Sequence, residues 1–331
     1  MFTRRIDFLI SNKIFQPCIC TDLFSPPMSE IIFPSSLKKG DTVRIVATAR
    51  KISLEEIQPA IDVLNSWELN VEVGESIGKE NFQLAGSDEE RLHDFQNAMD
   101  DNSVKAIICA RGGYGTVRII DEVDFRKFSK NPKWICGYSD ITVIHSHLLS
   151  VYNTASLHCT MPVSFSGNTP ESLQSMKSIL FGEKNSEKIP ANKLNREGIA
   201  AGKLCGGNLS LLQNLSGTVS DIDTTDRILF FEDVDEYLYH FDRMIQWLKR
   251  SGKLENLAAL VVGHLSKMKN LDEKNPFGKS AEEIIADAVG EYDYPVCFGY
   301  PAGHENDNRA LMIGGNYSLT INSGWSELKM T

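Results

Sequence analysis

A serine, a glutamate and a histidine, each placed after a short apolar run, are the residues of this chain best suited to act together. Ser139 follows KWICG in WICGYSDITVIHSHL, Glu232 follows RILFF, and His304 lies in the polar loop GYPAGHENDNRA. A serine at a strand-to-helix turn has an exposed hydroxyl, and the amide of the next residue lies beside any oxyanion that forms. The hydroxyl is a weak nucleophile until a base takes its proton, normally a histidine oriented by a carboxylate. GYSDI lacks the second glycine of a GxSxG elbow, and capping of the following helix by Ser139 or Asp140 competes as an explanation.

The chain has seven histidines. His145 and His147 fall on the helix after Ser139 and point away from the turn, while His240 and His264 read as structural or exposed. His93 sits on a charged helix, and His158, in SLHCTMP, ends another short strand and is placed to line a cleft. His304 is the strongest base, because its loop ends a strand and is crowded with polar and turn-forming residues. A carboxylate at a buried strand end is costly unless something holds it, and Glu232 orienting His304 meets both needs. Asp235 suits the cap of the helix that follows. The loop Arg111-Gly112-Gly113-Tyr114-Gly115 follows VKAIICA; its glycines leave amides free to hold an oxyanion or phosphate, or form a plain turn. It lacks the spacing of a dinucleotide fingerprint.

The elements that must position these residues alternate. DTVRIVAT, LNVEVG, VKAIICA and KWICG read as strands separated by helices, a pattern that gives a parallel sheet with helices on its faces. Ser53 with Glu56, and Ser87 with Glu90, form capping boxes for the first two helices. SFSGNTPES starts a connecting helix, and GEKNSEKIPANKLNREG reads as a solvated linker. IAAGKLC, RILFFED, AALVVG, VCFG, ALMIGG and YSLTIN then read as strands of a second unit, with helices at EYLYHFDRMIQWLKRSG and SAEEIIADAVGEY. The expected division is an N-terminal extension over 1–36, an α/β domain over 37–168, a connecting helix and linker over 169–196, and a C-terminal domain over 197–331. Residues 1–27 read as an upstream extension arising from a misassigned start, with a cryptic export signal as the alternative.

Formal charge is -10, from 34 Lys+Arg against 44 Asp+Glu, which opposes binding to nucleic acid or an anionic membrane. No run is apolar for the length a membrane helix needs. Seven scattered cysteines without a CxxC pair fit a reduced, cytoplasmic protein. They provide no ligand spacing for zinc, so neither metal nor cofactor is expected.

Taken in order, RGGYG, GYSDIT, LHCTMP, GGNLSLLQNLSGT, FFEDVDE with HFDRM, and GYPAGH resemble the serine L,D-carboxypeptidase family of murein tetrapeptide carboxypeptidases and microcin-immunity peptidases, over roughly residues 37–321. The resemblance implies an N-terminal parallel-sheet domain like that of class I glutamine amidotransferases and a smaller C-terminal swivelling-type α/β domain. It implies Ser139 as nucleophile, Glu232 as orienting carboxylate and His304 as general base, with the Gly113 and Asp140 amides as the oxyanion hole. Arg111 is the candidate for binding an acidic peptide end, and Tyr114, His158 and Asn208 are candidates for the cleft wall. It further implies a metal-free homodimer acting on a small peptide, either murein tetrapeptide or, alternatively, a microcin-like peptidyl-nucleotide. Departures from the family pattern are ATARK in place of an APS-like turn, Cys159 and Thr160 in LHCTMP, and His264 in VVGHLSKM.

Overall fold

The computed structural model describes residues 30–331; the expected extension over 1–27 lies outside the described residues. Four parallel pairings build the first sheet from β1 (Thr42–Val46), β2 (Asn70–Val73), β3 (Val104–Cys109), β4 (Trp134–Gly137) and β5 (Ser156–His158), in the order β5-β4-β3-β1-β2. β3 is buried at every position but Lys105, and β4 at every position, as expected for central strands covered on both faces. α1 (Leu54–Ser66) and α2 (Asp88–Asp100) both start with the expected capping boxes, Ser53/Glu56 and Ser87/Glu90. Each box satisfies two otherwise orphaned donors at a helix start.

The segment expected to be a solvated linker contains β6 (Ser186–Pro190), which pairs with the last strand. Its alternation of charged residues with Ile189 suits an edge strand with one covered face. The second sheet runs β10-β9-β8-β7-β12-β13-β6, with β7 (Gly198–Asn208), β8 (Arg227–Val234), β9 (Ala259–Ser266) and β10 (Val296–Phe298) parallel. β12 (Asn316–Ile321) and β13 (Trp325–Met330) complete it in antiparallel pairings. Phe230 and Phe231 on β8 are wholly buried, and burying such a side chain contributes about 1.5–3 kcal/mol.

One strand crosses between the halves of the chain. β11 (Leu311–Ile313) does not join the C-terminal sheet; it pairs antiparallel with β5, Leu311 opposite His158. The loop between β10 and β11, which carries His304, therefore starts at the edge of one sheet and ends at the edge of the other. Ile31–Thr331 pack as one compact unit. The five cysteines within it are free and buried. Among the described residues no helix is long and apolar enough to cross a membrane.

Candidate active site

Strand order 2-1-3-4-5 reverses direction between β1 and β3, and in open α/β sheets ligands bind beyond the carboxyl ends of the strands at such a reversal. The segments leaving β1, β3 and β4 there are ATARK, ARGGYG and YSD. A cavity of about 440 Å³ opens at this rim, lined by Arg50, Arg111, Gly112, Gly113, Tyr138 and Ser139 from the first sheet and by Asn208, Asp233, Asp235 and His304 from the second half.

Ser139 has φ +60, a left-handed conformation that costs a non-glycine residue roughly 1–3 kcal/mol. Tyr138 before it is extended, and a 3₁₀ turn over Ser139–Ile141 leads into α3 (Thr142–Tyr152). The chain thus turns sharply at the serine. Neither start has a side-chain cap bond, so the capping role weighed for Ser139 and Asp140 is not what holds them. The Asp140 carboxylate instead points inward, fully buried, and accepts from the Thr116 amide at 2.9 Å. Burial, the largest cause, pushes its pKa up. Gly112 lies directly against the serine: a Cβ there would sit 3.0 Å from Ser139 Cβ and 3.1 Å from its Oγ.

Glu232 is wholly buried near the end of β8. His304 Nδ1–H donates to its Oε2 at 2.7 Å, which leaves Nε2 as the ring nitrogen able to accept a proton. Burial alone would lower the His304 pKa, but the Glu232 charge and hydrogen bond, together with the charges of Asp233 and Glu305, raise it above the ordinary histidine value. The Tyr138 ring packs on His304 with centroids 4.9 Å apart, so the residue preceding the serine also sets the imidazole's place. The loop is pinned at several points: Gly303 N donates to Asn308 Oδ1, Asn308 N to Ser172 Oγ, and Ser266 Oγ to Glu305 Oε1. His264 bonds the Asp307 carbonyl at 2.9 Å, a structural use that accounts for a polar residue on β9.

Asn208 lines the cavity, yet its side chain is occupied within the protein. Its Nδ2 donates to Glu232 Oε1 and Asp233 Oδ1, and its Oδ1 accepts from Ser210 Oγ and the Leu211 amide. It positions carboxylates, and has little left to offer a ligand. Asp233 also accepts from the Ser210 and Val234 amides. Burial first, then the neighbouring Glu232 charge, raise its pKa to about 7. Asp235 does not cap the following helix, Leu238–Arg250, whose N-cap is Tyr237; it pairs with Lys269 at 2.7 Å.

Two candidates for the cleft wall lie elsewhere. His158 is fully buried beneath the site, because the rings of Phe230, from the second sheet, and Tyr138 pack against it. Tyr114 is half exposed outside the cavity, its hydroxyl against Arg118. Arg111 does line the cavity, and its Nη1 lies 3.7 Å from Glu56 Oε1 and donates to the Lys51 carbonyl at 3.3 Å. His145 points away, as expected, and bonds Ser156 Oγ and the Gly137 carbonyl at 2.8 Å each. Sequence reasoning missed Arg50, although its position just after the first strand marks it, and missed Met161, Val163 and Leu211, which supply the apolar lining. Among the described residues no group of three or more His, Cys, Asp or Glu is placed to hold a metal ion.

Fold and cavity together describe an enzyme of the peptidase class, and two family models cover most of the chain. The LD-carboxypeptidase N-terminal domain matches residues 43–159 and the LD-carboxypeptidase C-terminal domain residues 201–319. The chain belongs to the LD-carboxypeptidase family. A probable murein peptide carboxypeptidase of Bacillus subtilis (strain 168) is 34% identical over 293 residues, which cover 86% of this chain and 91% of the relative. The murein tetrapeptide carboxypeptidase of Pseudomonas aeruginosa is 27% identical over 82% of this chain and 91% of its own. Among solved structures, muramoyltetrapeptide carboxypeptidase from Oxalobacter formigenes matches with a TM-score of 0.79 at 31% identity, over 87% of this chain and 98% of that one. The microcin C7 self-immunity protein reaches 0.80 at 18% identity, over 91% and 98%, a likeness of fold.

Proposed function

We propose that this chain is a serine L,D-carboxypeptidase of peptidoglycan recycling, hydrolysing the amide between the L-centre of meso-diaminopimelate, or another diamino acid, and the terminal D-alanine of a murein tetrapeptide. The observation that carries it is the His304 imidazole, hydrogen bonded to a buried Glu232 and sharing one cavity with a serine on a left-handed turn. The names of the relatives supply the substrate class. In this reading the N-terminal half contributes the nucleophile and the C-terminal half its base, in a cytoplasmic homodimer.

His304 Nε2 takes the Ser139 proton as Oγ attacks the scissile carbonyl carbon. The carbonyl oxygen becomes an oxyanion facing the Gly113 and Asp140 amides, donors fixed in place before reaction. Glu232 stabilises the imidazolium and fixes the tautomer. The imidazolium then protonates the leaving nitrogen, the C–N bond breaks, and D-alanine departs from an acyl-enzyme. Water, deprotonated by the same histidine, attacks the ester carbon and restores Ser139. Arg111 pairs with the carboxylate of the terminal residue.

The test is release of D-alanine from L-Ala-γ-D-Glu-meso-diaminopimelate-D-Ala, followed by mass spectrometry in wild type and Ser139→Ala. Release that disappears in the variant supports the reading. No release from folded wild-type protein overturns it.

A further inference from the structure

Arg50 is the cavity residue that the proposed reaction leaves without work. It leaves β1 on the same rim as Arg111, at the β1/β3 reversal where ligands of such sheets bind. Its stem is not loose. A Cβ on Gly113 would fall 2.6 Å from Arg50 Cδ and 3.0 Å from its Nε, and Gly113 has φ +108, so the loop passes flush against the arginine because it has no side chain there. The backbone is held too: Arg50 bridges Leu84, and the Lys51 amide donates to the Gln83 carbonyl.

The stem is packed, but the residue is exposed and its guanidinium is hardly used. Its one side-chain hydrogen bond is a long 3.5 Å contact with Gln83 Oε1, and among the described residues no carboxylate lies within ion-pair range of it. Arg111, by contrast, already has Glu56 and the Lys51 carbonyl. Gly112 touches Ser139 and Gly113 touches Arg50, and the Cα atoms of consecutive residues are about 3.8 Å apart. A cation is therefore presented one residue along the loop from the point of attack, within reach of a group borne on the side chain of the residue being acylated. A planar guanidinium with five donors suits a carboxylate, which it binds in bidentate fashion.

We infer that Arg50 is a specificity-determining residue that pairs with a second substrate carboxylate, the one on the side chain of the diamino acid, in addition to the terminal carboxylate assigned to Arg111. The inference rests on the carboxypeptidase reading and deepens it: the site selects diaminopimelate-type peptides, which carry that carboxylate, over lysine-type peptides of the same length, which do not.

The experiment compares kcat and KM for L-Ala-γ-D-Glu-meso-diaminopimelate-D-Ala and L-Ala-γ-D-Glu-L-Lys-D-Ala, with wild type, Arg50→Gln and Arg50→Lys. Calorimetric binding of both peptides to Ser139→Ala and to the Ser139→Ala, Arg50→Gln double variant gives a readout that needs no turnover. Arg50→Gln should lower kcat/KM on the diaminopimelate peptide roughly 10- to 100-fold, chiefly through KM, with little change on the lysine peptide. Arg50→Lys should recover part of the loss, and binding should show the same contrast. Equal losses on both peptides, or no loss on either, would overturn the role of Arg50 while leaving the carboxypeptidase intact. Absence of release and of binding with both peptides would overturn the carboxypeptidase reading, and the inference with it.

Discussion

Replacing Glu232 with glutamine should move the acid limb of the pH–rate profile to lower pH while cutting the maximum rate. In the proposed reaction His304 accepts the Ser139 proton only when neutral, so activity should fall as pH drops through its pKa. Burial lowers that pKa, and the Glu232 charge and hydrogen bond, with the Asp233 and Glu305 charges, more than reverse it. The bond is 2.7 Å long and its carboxylate is wholly buried, and a hydrogen bond to a charged group contributes about 1.5–3 kcal/mol. With burial unchanged and that charge and hydrogen bond gone, the His304 pKa moves down. The amide also has a wrong end. Asn208 Nδ2 donates to Oε1, so the glutamine carbonyl is drawn there and its NH2 faces His304. The ring must then accept at Nδ1 and carry its proton on Nε2, the tautomer that cannot act as base. A loss in kcat on the order of 10² to 10⁴ follows. The assay is kcat/KM for D-alanine release across pH 5 to 9, with melting curves to confirm folding. An acid limb that stays in place or moves up would refute the electrostatic coupling.

Gly112→Ala should lower kcat about 100-fold or more with little change in melting temperature, since its Cβ would press on Ser139 at 3.0 Å and small misplacements of reacting groups are costly; steady-state kinetics beside a thermal melt check this. His145→Ala should destabilise the fold by about 2 kcal/mol, measured by urea unfolding, because it leaves Ser156 Oγ unpaired in the interior and takes from the Gly137 carbonyl one of its two hydrogen bonds, the other coming from the Cys159 amide. Asp233 has its pKa raised to about 7, so the folded state binds more protons than the unfolded state between about pH 4 and pH 7. Its contribution to stability is therefore full below about pH 4, falls as pH rises across that interval, and is gone above 7. Asp233→Asn should flatten the decline in melting temperature between pH 5 and 8, and an unchanged slope would contradict the assignment.

Much of this was legible in the residues themselves. Strands such as VKAIICA and KWICG are apolar because both faces of the sheet are covered, and Ser53/Glu56 and Ser87/Glu90 announce helix starts by chemistry that is local in the chain. Ser139, Glu232 and His304 stand out because each polar residue follows a strand, and the structure brings Ser139 and His304 to one cavity with Glu232 behind the histidine. What was not legible depends on pairing between distant segments. The β11 strand, LMI, looks like any other short apolar run, and nothing near it says that it will join the first sheet; nor does anything near His158 say that Phe230, 72 positions on, will cover it. SEKIP is too charged to look like a strand until WSELKM is beside it. Asn208 was read as facing a ligand because its bonds run to residues 24 and 25 positions away. Arg50 is placed by Gly113, a residue 63 positions away whose backbone lies against its stem.

The most direct measurement is to mix wild-type enzyme with the diaminopimelate tetrapeptide, quench in acid within milliseconds, and map the digest by mass spectrometry. The expected result is a transient tripeptidyl adduct on the peptide that contains Ser139, absent in Ser139→Ala and prolonged when water attack is slowed. D-alanine release without any adduct at Ser139, or with the adduct on another residue, would contradict the assignment of the nucleophile.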